Sequence, residues 1–125
     1  MAGALTVDTL NSSTGVLATQ NGMSGVAKAW VNFNGTGTIA IRSSFNVSSI
    51  TDNGTGDYII NFTTPMPDTN FATLALTATE SSSPTITNFT GTTGSATTSS
   101  VRFALNNLSG AAVDRSTVTA AVFSS

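Results

Sequence analysis

Apolar and polar positions alternate over most of the chain in short runs, broken by Gly, Asn, Asp and Pro. Period-two alternation puts successive side chains on opposite faces of an extended strand, so each run is read as a strand with one buried face. Ala27–Phe33 is the clearest case. Ala27, Ala29, Val31 and Phe33 fall on one face, and Lys28, Trp30 and Asn32 on the other. That parity sets Trp30 either in a second layer or at a subunit contact. Asn34-Gly35-Thr36-Gly37 then reads as a turn, since Gly and Asn accept the positive φ that tight turns need. Thr38–Arg42 follows with Ile39 and Ile41 on one side, and Asn46–Thr51 is a short strand around Val47. Asp52-Asn53-Gly54-Thr55-Gly56-Asp57 joins it to Tyr58–Thr63, whose Tyr58, Ile60 and Phe62 oppose Asp57, Ile59 and Asn61. The connection is longer than two residues and predicts a hairpin with a bulge or a four-residue loop.

Pro65 and Pro67 stop that strand, because neither donates a ladder hydrogen bond. In Phe71–Thr79, Ala72, Leu74, Leu76 and Ala78 alternate with Phe71, Thr73, Ala75 and Thr77. A Ser81-Ser82-Ser83-Pro84 loop precedes a strand over Thr85–Phe89. Thr90–Thr98 has no large apolar residue and is expected to be an exposed loop. Val101, Phe103 and Leu105 mark another strand, Asn106 to Gly110 a turn, and Val118, Ala120 and Val122 the last strand. Ala-rich 111–122 offers a partly helical alternative, opposed by the β-branched Thr117, Val118 and Thr119. The N-terminal zone, residues 1–25, is different. It holds four of the eleven Gly and two short strand-like pieces, Leu5–Leu10 and Gly15–Thr19. It reads as an arm or an added edge strand, with disorder as the alternative. Together these signals predict an all-β protein: an antiparallel, jelly-roll-like β-sandwich over residues 26–125, preceded by the arm.

Composition supports a folded chain with a modest core. Leu, Ile, Val and Phe number 29 of 125 residues and the net charge is −2, so neither a lack of apolar bulk nor self-repulsion keeps the chain open. Ser, Thr and Asn number 51, against ten charged residues. A surface of hydroxyls and amides suits a protein held in an assembly better than a free cytosolic one. Lys28, Arg42, Arg102 and Arg115 are scattered, which argues against nucleic acid as a partner. No apolar run approaches the roughly 20 residues of a membrane span. Seven Asn-x-Ser/Thr sequons are present, but the opening residues do not read as a secretory leader, so glycosylation is not expected.

The chemistry on offer is thin. The chain has no His and no Cys, so a Ser-His-Asp or Cys-His triad and the common zinc sites have no ligands or bases to draw on. Asp52 and Asp57 are the only close carboxylate pair. They bracket a turn, where Asp side chains bind nearby backbone N–H groups; calcium and glycosidase roles are the weaker readings. No phosphate loop and no nucleophile elbow occur. The expectation is a protein that is not an enzyme and needs no cofactor. Most of the nine aromatics belong in the core of a small sandwich. Trp30 and Tyr58 are the candidates for a surface contact, including stacking on a sugar, and Leu5, Val7 and Leu10 for an anchoring arm.

The stretch Ala27-Lys28-Ala29-Trp30-Val31-Asn32-Phe33-Asn34-Gly35-Thr36-Gly37-Thr38, then Ile41-Arg42, Phe45-Asn46-Val47-Ser48-Ser49-Ile50-Thr51-Asp52-Asn53-Gly54-Thr55-Gly56-Asp57-Tyr58 and Asn61-Phe62-Thr63, resembles a module of small virion proteins and tail fibres of tailed phages. Leu5–Leu10 resembles the segment that often precedes it. The resemblance spans residues 5–72 well and the rest loosely, and it brings no catalytic or ligand residues with it. It implies a β-rich exterior component of a virion, made in the host cytoplasm and forming a homotrimer. Its partners would be itself, other capsid or tail proteins and, for a fibre tip, a host-surface glycan. A chain of this size with an N-terminal arm fits a capsid decoration, cement or short head-fibre protein; a receptor-binding tail-fibre tip is the alternative.

Overall fold

The computed structural model describes residues 3–4, 6, 9–12, 15–18, 25–78, 88–107 and 109–124. Ten strands are present: β1 (Thr9–Ser12), β2 (Gly15–Ala18), β3 (Ala29–Asn34), β4 (Ala40–Phe45), β5 (Val47–Gly54), β6 (Asp57–Phe62), β7 (Ala72–Ala78), β8 (Asn88–Thr97), β9 (Ser100–Asn106) and β10 (Thr117–Phe123). β1 and β2 form a two-stranded sheet of their own. The other eight make two four-stranded antiparallel sheets, ordered β4-β3-β10-β7 and β5-β6-β9-β8. The chain is thus an all-β sandwich with eight strands in two sheets, as in a jelly roll, although three of its connections (β3–β4, β5–β6 and β8–β9) are hairpins within one sheet.

The core lies between the sheets and follows the alternation in the sequence. β3 contributes Ala29, Val31 and Phe33, and its neighbour β10 contributes Val118, Ala120 and Val122. From the facing sheet come Tyr58, Ile60 and Phe62 of β6 and Val101, Phe103 and Leu105 of β9. These four central strands bury one residue in two, while the edge strands carry less. Phe33, Tyr58 and Phe103 form an aromatic trio, with ring centroids 5.2 to 6.4 Å apart and tilted or edge-to-face contacts that suit the ring quadrupoles. Phe62 and Phe71 make a second edge-to-face pair, and Met66 is buried beside this core.

One expectation is corrected and one alternative falls away. Thr90–Thr98 is not a loop for most of its length. Residues 90–97 belong to β8, which pairs with β9 and slips register between Gly91 and Ala96. An edge strand is held by backbone hydrogen bonds on one side, and β-branched Thr suits extended backbone, so a strand forms there without large apolar residues. Only Thr98 and Ser99 turn the hairpin. The helical alternative for 111–122 is also overturned: Thr117–Phe123 is a central strand, hydrogen-bonded on both sides. The β5–β6 hairpin has the expected bulge, a register shift between Asp52 and Gly54, and closes through Thr55-Gly56. Of the strand expected over Thr85–Phe89, Asn88 and Phe89 open β8, and residues 85–87 lie outside the described residues.

Candidate functional site

The two outer faces of the sandwich differ in chemistry. On the β5-β6-β9-β8 sheet, the outward positions of β6 and β9 carry an ion pair. Arg102 Nε donates to Asp57 Oδ1 at 2.8 Å, and Arg102 Nη2 also reaches Asp57 Oδ2. The guanidinium holds the Asp57 carboxyl below the usual carboxylate range. Beside it, Asn61 Nδ2 donates to Ser49 Oγ at 3.0 Å and to Thr51 Oγ1 at 2.9 Å. This face is dressed for water.

The outer face of the β4-β3-β10-β7 sheet is apolar at its centre. Register places Phe45, Trp30, Ala121 and Leu74 side by side across the four strands, and Ser43, Asn32, Thr119 and Leu76 in the next outward row. Trp30 is 40 % exposed, Phe45 55 %, Leu74 57 % and Leu76 75 %. Trp30, Leu74, Leu76 and Phe123 border a groove of about 510 Å³. None of these eight row positions is charged. Arg42, on the same side, is turned onto its own chain: its Nη1 donates to Asn32 Oδ1 and Phe33 O, and its Nη2 to Ser116 O at 2.6 Å. It thereby ties down the bulge between Asn32 and Phe33.

β7 is built inside out relative to ordinary patterning. Directly opposed residues in a ladder point to the same side. Thr73, Ala75 and Thr77 are paired with the buried Val122, Ala120 and Val118, so they face inward, and Leu74 and Leu76 face outward. Phe71, of the inward parity, packs on Phe62 and anchors this register. Two leucines are thus spent on the exterior while threonines point toward the core. Sequence alternation separated the two sets without assigning their faces.

The sequence candidates part company here. Trp30 lies on the outer face as its parity required. Among the described residues it is not covered by a second layer. Tyr58 is fully buried, and that removes it as a surface contact or sugar platform. Its hydroxyl lies 2.7 Å from both the Gly35 carbonyl and Asp114 Oδ1, and Gly56 N donates to the same Oδ1 at 2.7 Å. Burial first, and the Asp114 carboxylate second, push the phenol far above its ordinary range. Leu10 lies in β1; Leu5 and Val7 lie outside the described residues. Asp52 is engaged in its turn, accepting from Gly54 N at 2.9 Å, and Asp57 faces Arg102 instead. Among the described residues, no group of three or more acidic, His or Cys side chains is placed to hold a metal ion.

A second hollow of about 560 Å³ sits at the corner where β4 passes into β5, bordered by Phe45, Asn46, Thr64 and Met66. Its polar groups are occupied: Asn46 Nδ2 donates to Lys28 O and Thr64 O, and Asn46 Oδ1 accepts from Thr64 N. Compared with protein families, curated proteins and solved structures, the chain shows no match.

Proposed function

We propose that this protein is a non-enzymatic structural component of the exterior of a tailed-phage virion, a capsid decoration, cement or short head-fibre protein that acts through its contacts. The single observation that carries a contact role is the exposed apolar centre of the outer face, around Trp30, Leu74 and Leu76. Monomers seldom leave a contiguous apolar patch of this kind open to water unless it meets a partner. The long motif running from Ala27 through Thr63 adds the phage setting by resemblance.

A tail-fibre tip binding a host-surface glycan is the second reading, favoured by the half-exposed Trp30 ring. Sugar sites combine a stacking ring with free polar groups. Here the neighbouring polar side chains are committed: Thr119 Oγ1 donates to Leu76 O at 3.2 Å, and Asn32 Oδ1 accepts from Arg42. The remaining border is Leu, Ala and Phe, so protein is the better fit.

Quantitative mass spectrometry of purified particles tests the assignment. Tens to hundreds of copies per particle are expected of a decoration protein. A few copies would move it to the tail, and absence from particles would overturn the virion reading.

A further inference from the structure

We infer that the outer face of the β4-β3-β10-β7 sheet is the surface on which a second copy of this chain docks. The inference names a partner for the contact role proposed above and rests on that role. Three features select a second copy. Area is the first. Trp30, Phe45, Leu74 and Leu76 together leave roughly 450 Å² of side chain in solvent, taking about 200 Å² for a full one. That is more than half of the roughly 800 Å² per partner of a stable protein–protein contact, before the Ser43, Asn32, Thr119 and Ala121 positions between them are added.

Charge is the second. Phe45, Trp30, Ala121 and Leu74 and the adjacent Ser43, Asn32, Thr119 and Leu76 are all neutral. A copy centred on these two rows therefore opposes no like charges, the nearby Arg42 being bonded to its own chain, and that is the condition for a self-complementary contact. The other outer face, with its Asp57–Arg102 pair, lacks that property.

The third is β7 itself. Among the described residues it pairs only with β10, and Ala72–Ala78 contains neither a charge nor a proline. Natural edge strands are normally guarded by such residues. An unguarded edge flanked by outward leucines is protected once a copy covers the same region.

Sedimentation of the full chain, read beside the emission of its single tryptophan, tests this. Wild type is expected to assemble in a concentration-dependent way, with Trp30 emission shifting to the blue. The double substitution Leu74→Lys/Leu76→Lys places charge at two outward positions and should weaken association about 100-fold, leaving a folded monomer with red-shifted emission. Ser49→Lys, on the opposite face, should assemble as wild type does. A wild-type chain that stays monomeric at about 100 µM, a concentration that populates contacts of ordinary affinity, would overturn the inference. So would a double variant that assembles undiminished. Either result leaves the virion reading standing, because copy number in particles measures that separately.

Discussion

The Tyr58 hydroxyl sits 2.7 Å from the carbonyl oxygen of Gly35, inside the sandwich and 23 residues away in sequence. The same oxygen lies 2.7 Å from Asp114 Oδ1. One phenol therefore ties the β3–β4 loop and the β9–β10 connection to the start of β6. Gly35 N completes the tie by donating to Arg115 O at 2.9 Å. Tyr58→Phe keeps the ring's packing on Phe33 and Phe103 and removes only the oxygen. It should cost about 2 kcal/mol, because the buried Gly35 carbonyl and Asp114 lose the proton they share, Asp114 keeping only Gly56 N. In thermal denaturation that corresponds to a melting temperature lower by roughly 5–10 °C. An unchanged melting temperature would show that the tie contributes nothing.

Tyr58 also sets the response to alkali. Its folded-state pKa lies above the ordinary phenol value of about 10, chiefly through burial. A raised pKa means that the folded chain keeps its proton where the unfolded chain gives it up. Stability from this group is therefore fully present below pH 10 and falls as pH rises beyond it. Tyr58 is the only tyrosine, so the alkaline rise in absorbance near 295 nm follows it alone. Tyrosinate absorbance should appear together with loss of the β-sheet circular dichroism signal, and not before. Tyr58→Phe should flatten the decline above pH 10. Ionisation at an ordinary pH in a chain that stays folded would contradict the buried position.

Gly56 and Gly37 separate backbone strain from steric exclusion. Both have positive φ, 66° and 61°. Around Gly37 an added Cβ meets no atom within 4 Å, whereas at Gly56 it would sit 2.5 Å from Leu105 O and 2.8 Å from Val113 O. Those carbonyls belong to a backbone that also bonds here: Leu105 N donates to Gly56 O at 2.7 Å and Val113 N to Leu105 O at 3.0 Å. Gly37→Ala should cost about 1 kcal/mol, the ordinary penalty of a left-handed alanine. Gly56→Ala should cost about 3 kcal/mol or more, since the clash is added to the strain. Urea denaturation of the two variants checks the ordering.

How much of this was legible in the sequence depended on whether a strand buries one face. β3, β6, β9 and β10 alternate cleanly because each lies between two neighbours and covers the core. Their parity placed Trp30 outside and grouped Tyr58 with Ile60 and Phe62. The fate of the Tyr58 ring was not legible from its type, because a phenol serves equally in a core or at a surface. The Asp114 that decides it is 56 residues distant. β8 was legible only at its first residues, Asn88 and Phe89, because backbone pairing with β9 needs no apolar signal. In β7 both residue sets are compatible with a core, and only the ladder with β10 turns the leucines outward. The apolar outer face was therefore half legible, through Trp30 alone.

Asn46 supplies the last test, at the point where the chain leaves one sheet for the other. It is the single residue between β4 and β5, and it has a φ of 54°, in the left-handed region. Asparagine tolerates that conformation better than most residues with a Cβ. Its side chain then spans the corner, with Nδ2 donating to Lys28 O at 2.9 Å and Thr64 O at 3.1 Å, and Oδ1 accepting from Thr64 N at 2.7 Å. Two substitutions separate the contributions. Asn46→Gly removes the side-chain bonds and relieves the backbone, while Asn46→Ala removes the same bonds and keeps the strain. Loss of the bonds should cost about 2 kcal/mol in both, and the alanine should lose about 1 kcal/mol more. The expected order of melting temperature is wild type, then glycine, then alanine. An alanine variant as stable as the glycine one would show that the left-handed turn at Asn46 is not strained. A glycine variant as stable as wild type would show that the three side-chain bonds do not hold the corner.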